Sequence, residues 1–538
     1  MKSITCGVAV TLALLVWTAS GQTVYWKGAV STAWSDPANW TNGTNAAPVK
    51  PGPGVSAVVD LRYSPINLPV LDLANGSVTI ASLVVSGGAS AASLTFANGD
   101  VSTKRLVVTG DVTISTNGIL THAAETATGT TVGNESNRLC VVAGGNLTIA
   151  QGGQINVDYK GYSGGNGPGR GTGGSNSGGG YGGEGGGTSP GGTTYGSITN
   201  PVTSGSGGQS AQYSGGGTVV LRVGGTFTHN GVLTANGQNR GGAIGGAGAG
   251  GSINVTAGGM VGASGAISAN GGYGAANCGT GAGGGGRIAL VVTHVGATIP
   301  ASLLTNTTAV GGQGDGGAGT YGAAGTIYLK TAAQRYGDLI VNNAGQNVSG
   351  ACTFLHDVTY RFDSITANNQ GMLLVGTNAA LTLDGCVLRN DSSGARLIVK
   401  DNGQLNWTGT WTNNGTISWW GTSRTSGLTV GSLTVAAGGM LTHETIDRPA
   451  NCLMLVVNGD LTVDAGGAIW AKGLGYLPGQ PYSGSGNAGG VHGGEGGWGC
   501  GGGTPGVPTT PTYGSITNPT TAGGGSSGEY PSTGGGAV

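Results

Sequence analysis

A short unit recurs along this chain and constrains it more than any other feature. Val107-Val108-Thr109-Gly110-Asp111-Val112-Thr113-Ile114 is followed by Asn117-Gly118-Ile119. Val141-Val142-Ala143-Gly144-Gly145-Asn146-Leu147-Thr148-Ile149 is followed by Gly152-Gly153-Gln154-Ile155, and Val456-Val457-Asn458-Gly459-Asp460-Leu461-Thr462-Val463 by Gly466-Gly467-Ala468-Ile469. Looser versions lie around Leu221–Leu233 and Ile253–Ile267. Alternation of Leu, Val and Ile with Thr, Ser and Asn puts one apolar face on each short strand. Gly, Asn and Asp at the corners permit positive φ. Three such strands per turn, apolar face inward, wind a chain into a β-solenoid whose turns bury their faces against one another. The step from Leu83-Val84-Val85 to the matching Leu106-Val107-Val108 predicts the length of one turn.

A longer duplication is superimposed. Thr194-Tyr195-Gly196-Ser197-Ile198-Thr199-Asn200-Pro201 recurs from Thr512 to Pro519. Gly-Gly-Glu-Gly-Gly at 182–186 recurs at 493–497, and Leu-Thr-His at 120–122 recurs at 441–443. The displacement differs slightly from one string to the next, which describes one long module whose loops have gained and lost residues. The first copy runs through Gly215-Gly216-Gly217-Thr218-Val219 into the strand-like Val220–Val223, whereas the second reaches Gly534-Gly535-Gly536-Ala537-Val538 and stops. The sequence is therefore expected to be a fragment of a longer protein.

These units order the chain. Residues 1–21 read as a signal peptide, with Lys2, an apolar stretch from Ile4 to Trp17, and Ala19-Ser20-Gly21 as a small-residue cleavage site. Residues 22–60 carry Trp26, Trp34 and Trp40 and suit a capping segment over the first turn. Residues 61–350 form module 1, 351–430 a strand-rich connection, and 431–538 the start of module 2. Between strands lie tracts such as 161–192, where more than half of the positions are Gly, and 240–251, 271–286 and 484–503. Ordering glycine is costly, so these tracts read as flexible excursions, the alternative being backbone-to-backbone packing in extended form.

Composition narrows the function. Only 8% of residues are charged and the net charge is −1, which gives no basic field to hold nucleic acid. After cleavage six Cys remain (140, 278, 352, 386, 452 and 500), with no C-x-x-C pair, so neither a zinc site nor a disulfide framework is expected, although export permits one or two bridges. No segment after the leader approaches a transmembrane helix, and no cofactor is expected.

The Trp-x-Gly…Trp…Asn-Trp opening resembles the start of large exported bacterial proteins with autotransporter-associated β-strand repeats. Gly-Gly-Gly-Gly-Arg-Ile-Ala-Leu (283–290), Gly-Thr-Ile-Tyr-Leu-Lys (325–330) and Ala-Asn-Gly-Gly (269–272) resemble the glycine-rich β-helix parts of adhesin-like surface chains. The resemblance covers most of 24–538. It implies an all-β, right-handed parallel β-helix, export, and a structural or adhesive role at the cell surface, toward an extracellular glycan or a host or matrix surface. It implies no catalytic residue.

Parallel β-helices also include polysaccharide lyases and hydrolases, which need clustered or paired carboxylates. Residues 161–330 hold seven charged side chains, and only Glu184 and Asp315 are acidic. Asp357, Asp363, Asp384, Asp391 and Asp401 are irregularly spaced and read as turn residues. The chain is therefore expected not to be an enzyme. Glu184 and Glu495, in the duplicated Gly-Gly-Glu-Gly-Gly, read as solvated loop carboxylates, and His122 and His443 as strand-edge residues. Asp315 lacks the partner Asp residues that Ca²⁺-binding Gly/Asp repeats need. The carbohydrate-binding alternative rests on Trp407, Trp411, Trp419 and Trp420: Trp407 and Trp411 would share one face of an extended strand. Exposed, they would stack on sugar rings; buried, they are core, the favoured reading.

Overall fold

The computed structural model describes Gly21 to Val538 apart from 44–48, 174–175, 188–190, 211, 242–244, 275–278, 315–319, 347, 349, 357, 391–393, 401, 421–427, 445–452, 479–489, 491, 494–511, 518, 520, 527–532 and 537. The leader, Asp315, Asp357, Asp391, Asp401, Glu495, Cys278, Cys452 and Cys500 fall outside the described residues.

Nearly every element is a β-strand, paired in parallel with strands above and below it. One sheet climbs through Ser56–Asp60, Leu83–Ser86, Val112–Ile114, Leu147–Ile149, Thr218–His229, Ser252–Val261, Arg287–Val292 and Thr326–Lys330, each parallel to the next. A second climbs beside it from Val70–Asp72 through Ala92–Ala97, Gly118–His122, Gln154–Asn156, Val232–Thr234 and Ala266–Ser268 to Thr307–Thr308. Alternation in the sequence becomes alternation in space: the strands Val112–Ile114 and Leu147–Ile149 bury their first and third residues and turn Thr113 and Thr148 outward.

The tier is longer than the step from Leu83 to Leu106 that the sequence suggests. Leu83 pairs with Val112, and Leu106 pairs instead with Val78. Each tier places two short strands on this face, separated by a corner such as Gly110-Asp111, and Leu83-Val84-Val85 is the second strand of its tier while Leu106-Val107-Val108 is the first of the next. The shorter spacing does occur further on, where Ser364 pairs with Val387 and Met372 with Arg396.

Beyond the antiparallel pair Thr23–Trp26 and Trp40–Thr41 at its start, the first sheet reverses polarity at one further place among the described residues. Thr326–Lys330 pairs antiparallel with Asp338–Asn342, across the hairpin at 331–337, and parallel pairing then resumes through Ser364–Asn368 and Val387–Asn390. A companion sheet runs from Thr353–Leu355 to Ala468–Trp470. The apolar core changes at the same place. One cluster draws on residues from Val24 to Leu329, and a second is built mainly from Leu339 to Leu453 with Ile198, Ala289, Ala324 and Tyr328 joining it. The change lies within the stretch read as module 1.

Trp26, Trp34 and Trp40 join the first cluster as an edge-to-face set, with centroids 5.0 and 4.6 Å apart. The indole N–H of Trp26 donates to the Asn67 carbonyl at 2.7 Å and that of Trp40 to the Trp34 carbonyl at 2.9 Å. Burying three indoles, two of them with their polar tips satisfied, is consistent with closing the end of the stack.

Where they are described, the glycine tracts before residue 330 are not loose excursions, while most of the tract 484–503 lies outside the described residues. Segments around 178–186, 245–251, 281–286 and 320–325 lie side by side, largely buried, and bond through their backbones: Gly179 N to Ala247 O at 2.9 Å, Gly183 N to Gly285 O at 2.9 Å, Gly250 N to Gly284 O at 2.9 Å and Gly285 N to Ala323 O at 2.9 Å. At Gly281 and Gly284 a Cβ would lie closer than 3.0 Å to the carbonyl oxygens of Gly186 and Gly183. Only a chain without side chains reaches this spacing, and the hydrogen bonds it allows satisfy the buried backbone that disorder would leave to water. This is the backbone-to-backbone alternative.

Tyrosines and small hydroxyls frame the lattice. Tyr181 lies 4.8 Å from Tyr195, and its hydroxyl meets Ser252 Oγ at 2.6 Å and Thr203 Oγ1 at 3.0 Å. The duplication repeats this frame. Tyr195 donates to Ser204 O, and Tyr513, its counterpart in the second copy, donates to Ala522 O. His492 stands where Tyr181 stands, 4.9 Å from Tyr513 and 2.9 Å from Thr521 Oγ1. Among the described residues no helix is long and apolar enough to cross a membrane.

Candidate functional site

The reversal of polarity opens a groove of about 1000 Å³ where the two stacks meet. Three segments far apart in sequence build it. Thr194–Thr199, from the duplicated string, forms one wall, anchored because Ile198 is buried in the second core. The hairpin brings Lys330, Arg335 and Tyr336, and the strand Thr359–Arg361 brings Tyr360 and Arg361. The floor is aromatic: Tyr328 and Phe362 are buried, with Tyr360 and Phe362 nearly parallel at 6.3 Å.

The hairpin is held by carboxylates that are not among the residues lining the groove. Asp363 accepts the backbone N–H groups of Tyr336 and Gly337 at 3.0 and 2.8 Å. Asp338 accepts from Ser364 Oγ at 2.6 Å and Gln334 Nε2 at 2.6 Å. Tyr328 donates its hydroxyl to the Tyr336 carbonyl at 2.6 Å. The cations stay on the groove side. The Arg335 and Arg361 guanidiniums sit 5.0 and 5.8 Å from the centroid of the Tyr336 ring, and Arg361 donates to the Tyr336 hydroxyl at 3.2 Å. Lys330 donates to the Arg335 carbonyl at 2.9 Å.

Behind the wall lies a fourth cation. Arg287 is 1% exposed. It donates to the Tyr195 carbonyl at 2.9 Å and Thr326 Oγ1 at 3.2 Å and lies 5.5 Å from the Tyr181 ring centroid, and burial pulls its pKa down. Its hydrogen-bond partners are neutral, so its charge is uncompensated where Tyr195 meets the groove.

The residues singled out in the sequence lie elsewhere. Trp407, Trp411 and Trp419 are 6, 4 and 3% exposed, within the second core. Trp407 and Trp411 do not share one strand: Trp407 follows Gln404–Asn406, a bend at 408–409 intervenes, and Trp411 lies in Thr410–Asn413. Their rings meet at 5.3 Å, and their indole N–H groups donate inward, to Ser432 O at 3.2 Å and Cys386 O at 3.0 Å. These three rings present no stacking face to a sugar. Trp420 is half-buried, with the Lys400 ammonium 4.9 Å from its centroid.

Glu184 is not a solvated loop carboxylate. Its Oε2 accepts the Cys352 N–H at 2.9 Å, its own N–H donates to Cys352 O at 3.1 Å, and burial raises its pKa to about 7. It ties the glycine lattice to the strand Thr353–Leu355. His122 is wholly buried: its Nε2 accepts the Thr218 N–H at 3.0 Å, its Nδ1 meets Ala123 O at 2.7 Å, and burial lowers its pKa to about 4. His443 repeats the inner contact, with Nδ1 at 2.9 Å from Glu444 O. Cys140, Cys352 and Cys386 are free and buried, and burial raises the Cys140 and Cys386 thiols to about 12. Among the described residues no group of three or more His, Cys, Asp or Glu is placed to hold a metal ion.

Comparison with family models, with curated proteins and with solved structures gives no match. The groove therefore stands on its own chemistry. Sequence reasoning passed over Arg335, Tyr336, Tyr360 and Arg361. The available signal was the cluster Lys330-Thr331-Ala332-Ala333-Gln334-Arg335-Tyr336-Gly337, a basic hairpin in a charge-poor chain.

Proposed function

We propose that this chain is an exported structural element of a cell surface, adhesin-like in use, and that its stacked sheets are the faces of a right-handed parallel β-solenoid. The observation that carries this reading is the glycine lattice bonded edgewise to the parallel stack. A flexible linker or a loop-bearing catalytic scaffold gains nothing from interlocked backbone, whereas a stiff extended body does: each tier is fixed by its neighbours and by the lattice beside it. The leader-like residues 1–21 and the low charge fit an extracellular setting.

Two measurements test the reading. Cells expressing the full chain are fractionated, and the purified chain is studied by small-angle scattering. Export with a maximum dimension several times the cross-sectional diameter is the expected result. Retention in the cytoplasm, or the scattering profile of a compact sphere, overturns it. A density map of the purified chain decides the hand of the stack.

A further inference from the structure

We infer that the groove between the two stacks binds an acidic saccharide, with Arg335, Arg361 and Lys330 holding its carboxylate or sulfate groups. The proposal rests on the reading of the chain as an exported surface element and names what that surface recognises.

Charge argues for an anion. The described residues lining the groove include three cationic side chains and no carboxylate. Among the described residues of the packed elements, Asp338 and Asp363 are occupied with backbone and side-chain donors of the hairpin and of Ser364. Neither arginine nor Lys330 forms an ion pair among the described residues. Arg287, buried behind Tyr195 without a carboxylate partner, adds a fixed positive charge beneath the wall. In a chain with only 8% charged residues, three cations lining one concavity and a fourth buried behind its wall make a local field that the net charge of −1 conceals.

Shape and lining argue for a sugar. The Tyr336 ring holds both guanidiniums in place, so less side-chain freedom is lost when a ligand arrives. Guanidiniums suit planar acid groups, which they grip with paired N–H donors. The half-buried Tyr360 ring and the hydroxyls of Ser197, Thr199 and Thr359 line the same groove and offer an apolar face beside a polar rim. A pyranose has the complementary pattern, C–H faces and a hydroxyl edge. The Tyr-Gly-Ser-Ile-Thr string is thereby given a role: its outward residues, Ser197 and Thr199, line the groove while Ile198 anchors it.

The test uses the full chain and four probes: polygalacturonate, dextran sulfate, neutral dextran and inorganic polyphosphate, each titrated by calorimetry at low and high salt. At least one acidic glycan should bind, more weakly as salt rises, and neutral dextran should not. The double variant Arg335→Ala/Arg361→Ala should weaken that binding about tenfold or more with an unchanged circular dichroism spectrum, because both side chains are exposed. Tyr360→Leu should weaken the acidic glycan but not polyphosphate, which separates sugar recognition from charge alone. Binding of neither acidic glycan overturns the inference, as do binding that the double variant leaves intact and polyphosphate binding as tight as the glycan with Tyr360→Leu silent. An exported chain that binds nothing sinks this inference and spares the surface reading; a binding chain retained in the cytoplasm does the reverse.

Discussion

Gly281→Ala separates a packed lattice from a loose loop. Gly281 is buried, accepts the Ala247 N–H at 3.0 Å, and faces the carbonyl of Gly186 so closely that a Cβ would lie under 3.0 Å from it, where ordinary contact begins near 3.4 Å. Backbone must therefore move, and the atoms that must move are themselves bonded. Gly186 N donates to Ala282 O at 2.8 Å, and Gly186 O accepts the Gly178 N–H at 2.8 Å. Leaving two of these buried groups unpaired, at about 1–3 kcal/mol for each, costs about 2–6 kcal/mol. In a flexible tract the same change would be neutral or would stabilise by about 0.4–1 kcal/mol, because alanine restricts the unfolded chain. Gly52→Ala is the control, since a Cβ there meets nothing within 4 Å and φ is not positive. Urea denaturation followed by circular dichroism gives both differences. A Gly281→Ala midpoint at or above that of Gly52→Ala would refute the lattice, and amide exchange at 178–186 as fast as in an unfolded peptide would do the same.

Further outcomes follow from burial. His122 and His229 are held near pKa 4 against an ordinary 6.5, so the unfolded state binds the extra protons between those values. Their contribution is intact above pH 6.5 and is lost as the pH falls toward 4, on the order of 3 kcal/mol for each ring; urea midpoints for His122→Gln that keep the full pH slope of the parent would contradict this. Glu184, raised to about 7 from 4.5, works in the opposite sense, favouring the fold at low pH and losing that contribution as pH rises through 7. Glu184→Gln should therefore be more stable than the parent at pH 8 and lose that advantage by pH 4.5, as read from thermal midpoints at the two pH values. Trp411→Ala empties a core site and should cost about 3–5 kcal/mol, while Trp420→Ala, half-buried under Lys400, should cost less; equal losses in urea would place the two rings in the same environment.

How much of this was legible depends on where side chains carry the pattern. The strands Val112–Ile114 and Leu147–Ile149 announce themselves, because burying alternate residues requires alternate apolar residues. The tier length does not, because the two strands of one tier look alike: Leu83-Val84-Val85 resembles Leu106-Val107-Val108 although its partner is Val112. The lattice is invisible for a stricter reason. A packed glycine tract and a flexible one have the same composition, and only the residues around them differ. Tyr181 and Tyr195, buried against glycine backbone with hydroxyls bonded to Ser and Thr, are that difference. Of the groove only the basic hairpin is open to local reading, since Ser197, Arg335 and Arg361 meet where the hairpin reverses the stacking polarity.

The duplication shows what the repeated unit is. Between the two copies Tyr181 becomes His492, a different ring, yet the contacts to Tyr513 and Thr521 Oγ1 match those to Tyr195 and Thr203 Oγ1. The glycine partners recur too: Gly161 meets Gly205 and Gly216 in the first copy, Gly475 meets Gly523 and Gly535 in the second. If strands alone were the unit, the ring could vary freely and so could the glycines beside it. Retaining an aromatic strut with a polar tip against matched glycines means that lattice and strands form one module, each ordering the other. Tyr195 is accordingly expected to tolerate no aliphatic replacement, whereas Tyr181→His should be accommodated, because the second copy already carries that solution.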